Sequence, residues 1–139
     1  LRDSIGSLAK FGQMKYNDSE ELEKLQRRFS TYQEINKKDW SEEFKNKSKQ
    51  AYDKFAKEDI IMSVHALSRL PRLNKPELPE VSDAMLMEII KGKSNYTEGE
   101  EKQIYFVHDL QLLVVRNKKT GDIVSVVRRK EAKGEWKSV

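Results

Sequence analysis

Residues 103–128, QIYFVHDLQLLVVRNKKTGDIVSVVR, decide the fold class. Ile104 and Phe106 alternate with Tyr105 and Val107, and the runs Leu110–Arg116 and Ile123–Arg128 are rich in branched residues. Alternation and β-branching of this kind predict strands, because such side chains pack well on a pleated surface. Asn117–Asp122 separates the last two runs and reads as a hairpin connection, with Gly121 free to take a positive φ. Connections this short join antiparallel neighbours, so the segment predicts an antiparallel sheet. A short final strand is expected around Glu135-Trp136-Lys137.

Immediately upstream the periodicity becomes helical. Ile60-Ile61-Met62 is a short apolar run, after which Ser63 is placed to cap a helix covering His65 to Leu70. Pro71 ends or distorts that helix, since it has no amide hydrogen and restricts the residue before it. Asn74–Pro79 holds two prolines and reads as a loop. Ser82 caps a second helix from Asp83 to about Lys91, whose apolar face comprises Ala84, Leu86, Ile89 and Ile90 with Met85. Gly92 stands at its C-terminal end. Helices followed by strands make an α+β domain, with the N-terminal helices packed on the antiparallel β-sheet.

The first part of the chain is different. Leu8, Phe11, Leu22, Leu25, Phe29 and Tyr32 are spaced mostly by three and four residues between blocks of charge, which predicts helix. Asn17-Asp18-Ser19 is expected to interrupt it and to offer N-caps. A further helix is expected from about Ser41 to Lys57, with Glu42 and Glu43 in the first turn, where the helix dipole favours negative charge. Residues 1–58 therefore read as a helical extension or linker, and residues 59–139 as the compact domain. The chain opens on Leu1, which reads as a fragment cut from something longer.

Of the 139 residues, 27 are basic and 23 acidic, a net charge of +4. The excess is unevenly spread: residues 102–139 hold 9 basic and 4 acidic side chains. A locally basic segment suits a polyanionic partner, because neutralising phosphates releases counterions. There is no cysteine, which excludes disulfides and thiolate metal sites. No apolar run reaches the length of a membrane span, and no secretory signal pattern opens the sequence. No phosphate-binding glycine loop, zinc-protease motif or nucleophile elbow is present, so no cofactor and no metal is expected.

What remains is a small set of polar residues. His65, Arg69 and Arg72 recur at i, i+4 and i+7, one face of a helix. Imidazole moves protons near neutral pH, while guanidinium stays charged and presents planar donors to phosphate oxygens. Together they fit attack of a ribose 2′-hydroxyl on its neighbouring phosphate, a reaction that needs a base, an acid and positive charge but no metal. In the last strand, Ser125 is a polar residue on an otherwise apolar face with Ile123 and Val127. Arg128 follows, and strict alternation keeps it off the Ser125 face unless a bulge intervenes. Tyr105 has the chemistry to stack a base or to pack in a core, and His108 reads as a turn histidine. Arg72, Tyr105, His108, Lys118 and Lys119 are the substrate-binding candidates.

The order Ser-x-His-Ala-Leu-x-Arg at 63–69, an arginine three residues on and a helix ending in Lys-Gly at 91–92 carries a resemblance. So does Val-Val-x-x-x-x-Thr-Gly-Asp-Ile-Val-Ser-Val-Val-Arg, which completes it. Residues 59–130 resemble the small ribonuclease toxin domains grouped with barnase, EndoU, colicin and RelE toxins, which often end bacterial polymorphic toxins, including LXG-type ones. The resemblance implies a curved sheet with the active site in its concavity. His65 would be the base, Arg69 and Arg128 would hold phosphate, and Ser125 would orient the phosphate or the 2′-hydroxyl. It also implies a metal-independent endoribonuclease used in interbacterial competition. Such a toxin is secreted by its producer, acts in the target-cell cytoplasm on an RNA substrate, and is neutralised by a cognate immunity protein with an acidic face. No second catalytic histidine matches the pattern. A non-catalytic nucleic-acid-binding module and a protein-interaction (adaptor or immunity) module are the alternatives.

Overall fold

A run of good helix formers gives α1, Lys15–Asn36, the first element in a computed structural model that describes residues 15–139. The expected interruption at Asn17-Asp18-Ser19 does not occur; the helix runs through it. Poor helix formers are tolerated when strong ones such as Glu, Leu, Lys, Gln and Arg dominate the window. Leu8 and Phe11 lie outside the described residues. Leu22, Leu25 and Phe29 of α1 are exposed. The chain divides into two units, the first ending at Lys38 and the second spanning Asp39–Val139.

Within the second unit, Ser41 caps α2, Glu42–Ala56, by accepting from the Phe44 N–H at 3.1 Å. Tyr52 and Phe55 of α2 are 1% and 0% exposed. Residues 39–58 thus belong with the compact unit, which starts twenty residues before the boundary expected at 59. Sequence spacing identified the helix but could not show that its aromatic stripe is core. Ser63 caps α3, Val64–Arg69, through the Ala66 N–H at 3.1 Å. A 3₁₀ turn over Leu70–Arg72 follows, with Pro71 inside it. Ser82 caps α4, Asp83–Lys91, which ends at Gly92. Gly92 has φ −80°, so its place there needs no left-handed backbone.

The strands are β1 (Tyr96–Glu98), β2 (Lys102–Val107), β3 (Leu112–Asn117), β4 (Ile123–Arg128) and β5 (Lys137–Ser138). All pairings are antiparallel, in the order β4-β3-β2-β1-β5. The α+β class is as expected. β1 is an addition: Tyr96-Thr97 is short, but it pairs with β2 across a turn in which Gly99 has φ +65°. Gly121 takes φ +80° in the β3–β4 hairpin, as anticipated. The last strand falls at Lys137–Ser138, and Trp136 turns inward instead of pairing.

Both faces of the sheet are covered. Antiparallel partners share a face, so Tyr105, Val114 and Val126 lie on one, with Leu112 and Arg128, while Ile104, Phe106, Leu113, Val115, Ser125 and Val127 lie on the other. The first face meets the helices: α3 packs on β4, and Arg116 reaches the Ile90 carbonyl of α4 at 3.4 Å. The second face is closed by the C-terminal segment, with Trp136 packed on Ile104, Phe106 and Leu113. Trp136 sits 5.5 Å from Tyr96 and 5.7 Å from Phe106 between ring centroids. Removing so large a buried ring leaves a cavity, so Trp136→Ala should lower the unfolding free energy by ~3–5 kcal/mol, read from the urea midpoint.

Two ion pairs join α2 and its end to α4, Lys54–Asp83 at 2.8 Å and Lys91–Glu58 at 2.5 Å. Lys91, through its hydrogen bond and charge, holds the Glu58 carboxyl below the ordinary carboxylate range. A carboxyl depressed in the folded state contributes stability above its unfolded pKa, and that contribution is lost as pH falls through the folded value. Glu58→Gln should therefore melt below the parent protein at pH 7, and the gap should narrow as pH falls below the ordinary glutamate range. A gap that stayed constant as pH was lowered through the acid range would assign the effect to packing.

Candidate functional site

The position of α3 is set by the outer edge of β4. The Ile123 N–H donates to the Ile61 carbonyl at 2.8 Å, and the Ser63 N–H donates to the Ile123 carbonyl at 2.9 Å. Met62 forms an isolated parallel bridge with Ile123. The Ser63 hydroxyl, which caps α3, also donates to the Val124 carbonyl at 3.1 Å. Val124 is the extra residue of a bulge: Ser125 pairs with Val115 but Ile123 pairs with Arg116. The bulge frees a carbonyl for Ser63, and the helix starts there.

With its first turn held, α3 buries Val64, Ala66 and Leu67. His65, Ser68, Arg69 and Arg72 then fall on the opposite side, where they face the start of α2. They line a cleft of about 420 Å³ together with Trp40, Ser41 and Phe44. Trp40 and Phe44 meet edge to face at 4.8 Å. Arg69 and Arg72 also border a second cleft of about 500 Å³, whose other walls include Asn74, Lys75, Val126 and Arg128. Arg69 and Arg72 belong to the linings of both clefts.

The charged side chains of the two linings carry one sign. Arg69, Arg72, Lys75 and Arg128 form no ion pair among the described residues, whereas Lys45, Lys47, Lys54, Lys91, Lys102, Lys119 and Lys133 each do. The Nε atoms of Arg69 and Arg128 are buried with no hydrogen-bond partner among the described residues. A buried donor without an acceptor is unfavourable. Both arginines line the second cleft, and His65, exposed on the first, supplies the only imidazole of either lining.

Arg128 has a further task. It donates to the Leu110 carbonyl at 2.7 Å, the Pro79 carbonyl at 2.6 Å and Asn74 Oδ1 at 3.1 Å. Asn74 in turn exchanges two hydrogen bonds with the Val81 backbone. Arg128 thereby clamps the Asn74–Val81 loop and the Leu110 turn to β4. Burial pushes its guanidinium below its ordinary pKa.

The remaining expected site residues lie elsewhere. Ser125 pairs with Val115 on the second face, so it does not join Arg128 and His65. The bulge lies before Ser125, and alternation from Ser125 to Arg128 is undisturbed. The same bulge turns Ile123 to the Arg116 side, away from Ser125 and Val127. Tyr105 is only 5% exposed and its hydroxyl accepts from Arg116 at 2.9 Å, a core role that leaves no face for a base. His108 occupies a 3₁₀ turn, exposed, with its ring 6.2 Å from Phe106 on the second face. Lys118 and Lys119 are on the hairpin at the Ile123 end of β4, roughly 17 Å of strand from Arg128. Lys119 is paired there with Glu101 at 3.2 Å.

Trp40, Phe44, Asn74 and Lys75 were not anticipated. A tryptophan directly before the Ser41 cap was the one local signal, since it fixes an aromatic at a helix mouth. Among the described residues no group of three or more His, Asp or Glu side chains converges to hold a metal, and no helix is long and apolar enough to cross a membrane. No family model matches the chain, and neither a curated protein nor a solved structure matches it.

Arg128→Met should remove the clamp and lower the unfolding free energy by about 1–3 kcal/mol. Lys130→Met, on an exposed side chain, should stay within about 0.5 kcal/mol. Equal urea midpoints for the two variants would show that the three hydrogen bonds carry no stability.

Proposed function

We propose that the chain is a metal-independent endoribonuclease of the bacterial toxin type, with the two clefts as its RNA path. The observation that carries this reading is the placement of His65 in one cleft with unpaired Arg69 and Arg72, which also line a second cleft with Lys75 and Arg128. Cations without acidic neighbours attract phosphates, and their planar donors match phosphate oxygens. An imidazole at the same surface is suited to general-base work.

In this reading His65 takes the proton of a ribose 2′-hydroxyl. The 2′-oxygen forms a bond to phosphorus, the phosphorus–O5′ bond breaks, and a 2′,3′-cyclic phosphate remains. Arg69 and Arg72 stabilise the charge that builds on the phosphate oxygens. The departing 5′-oxygen takes its proton from water, because no second imidazole or carboxyl group lines either cleft. Arg128 serves mainly as a wall, held by its three acceptors with Nε left over. Ser125 has no part in it.

The resemblance of residues 59–130 to ribonuclease toxin domains supports the biological setting: secretion by a producing bacterium, action on RNA in the cytoplasm of a competitor, and neutralisation by an immunity protein whose acidic face covers the basic clefts. A second reading, a non-catalytic nucleic-acid-binding module, is favoured by one observation. Ser125 and His108 lie outside the clefts, so His65 stands without a partner acid.

Expression of the parent protein and of His65→Ala in a bacterium, followed by a gel of total RNA, separates the two. The ribonuclease reading expects degraded RNA with the parent, also with purified protein and a chelator, and a loss of about 10²–10⁴-fold in His65→Ala. Intact RNA in both, with salt-sensitive binding that ignores the substitution, is the outcome of the second reading.

A further inference from the structure

The first cleft has an aromatic wall that phosphate binding does not use. Trp40 and Phe44 are four residues apart across the start of α2, and the Ser41 cap fixes the turn between them. Their rings stand at 86° with centroids 4.8 Å apart, and both are half-buried, so each keeps exposed ring surface. A right-angled ring pair makes a corner that a third flat ring can fill, stacked on one and edge-on to the other. Ser41, His65 and Ser68 line the same cleft and offer hydrogen bonds to the edge of such a ring. Arg69 and Arg72 border it and the cationic cleft alike.

We propose that Trp40 and Phe44 form a nucleobase seat, so that the site takes an unpaired base beside a phosphate held by Arg69 and Arg72 and thereby selects single-stranded over duplex RNA. The inference rests on the nucleic-acid reading of the clefts and adds the substrate class. Phosphates are displayed by duplex and single strand alike, and by themselves the arginines cannot tell them apart. A base inside a duplex has both faces covered by its neighbours and cannot enter a ring corner. An unpaired base can, and stacking on an aromatic side chain is largely indifferent to base identity. An acidic protein segment fits the cations but leaves the aromatic wall unused.

Trp40 is itself the reporter. The chain has two tryptophans, and Trp136 is buried against the second face of the sheet. The probe is a single-stranded 2′-O-methyl RNA octamer, which has no free 2′-hydroxyl and is not consumed. It should quench tryptophan fluorescence of the parent protein as it binds. The quench should vanish in Trp40→Phe, which keeps a ring and the fold, while most of the affinity remains. Trp40→Ala should bind about tenfold more weakly, the scale of one lost base stack. The duplex of the same sequence and polyglutamate should leave the fluorescence unchanged.

Salt-dependent octamer binding without a quench, and unaltered in Trp40→Ala, would overturn the base seat and leave phosphate binding standing. A quench by duplex or polyglutamate equal to that by the octamer would overturn the selectivity. No binding of any nucleic acid would overturn the seat together with the RNA reading.

Discussion

The hydroxyl of Ser63 holds two parts of the molecule in register. It accepts from the Ala66 N–H to start α3 and donates to the Val124 carbonyl at the edge of β4. A six-residue helix has too few internal hydrogen bonds to be stable alone. Its direction therefore comes from this cap, from the backbone bonds of Ile61 and Ser63 to Ile123, and from burial of Val64, Ala66 and Leu67. Once those are in place, His65, Arg69 and Arg72 have one side left to occupy. The bulge at Val124 is part of the same device, since it leaves the carbonyl that Ser63 needs. Bulges redirect strands where a regular ladder would leave no room for another element.

The sheet shows how a small α+β unit hides two apolar faces with few elements. Helices cover one, and a single tryptophan on a returning C-terminal segment closes the other. Arg129 supports that closure, with its guanidinium 5.9 Å from the Trp136 ring and its backbone N–H donating to the Gln111 carbonyl. Ser125, on this second face, lines neither cleft. Charge is divided in a similar way. Many surface lysines are neutralised by a nearby carboxylate, worth little energetically when exposed, while the arginines between α3 and β4 have none. The result is a cluster of unpaired cations within the second unit of a chain whose net charge is small.

Much of the fold was legible locally. Ser41, Ser63 and Ser82 each cap the helix that follows, because a short hydroxyl side chain is the partner that an orphan N–H needs. Three of the five strands and the Gly121 turn were readable from alternation and glycine conformation. Tyr96–Glu98 was not, since three residues give no period, and Asn17–Ser19 misled because capping residues also ride inside long helices. Within the site, the His65–Arg69–Arg72 spacing correctly put the three on one face. Ser125 and Tyr105 were misplaced for different reasons. The first depended on which face of the sheet meets the helices, the second on Arg116 reaching across to its hydroxyl.

The amino-acid sequence by itself determined the α+β class, the capped helices, the hairpin and the cationic face of α3, all of which follow from contacts within a few residues. Tertiary structure alone decided that Trp40 and Phe44 stand opposite His65, and that Arg128 clamps a loop of residues 74–81. It also placed Ser125 on the far face of the sheet. Those outcomes depend on pairings between residues tens of positions apart. They are settled by burial of shared apolar surface and by hydrogen bonds of long sequence separation, and a local pattern encodes neither.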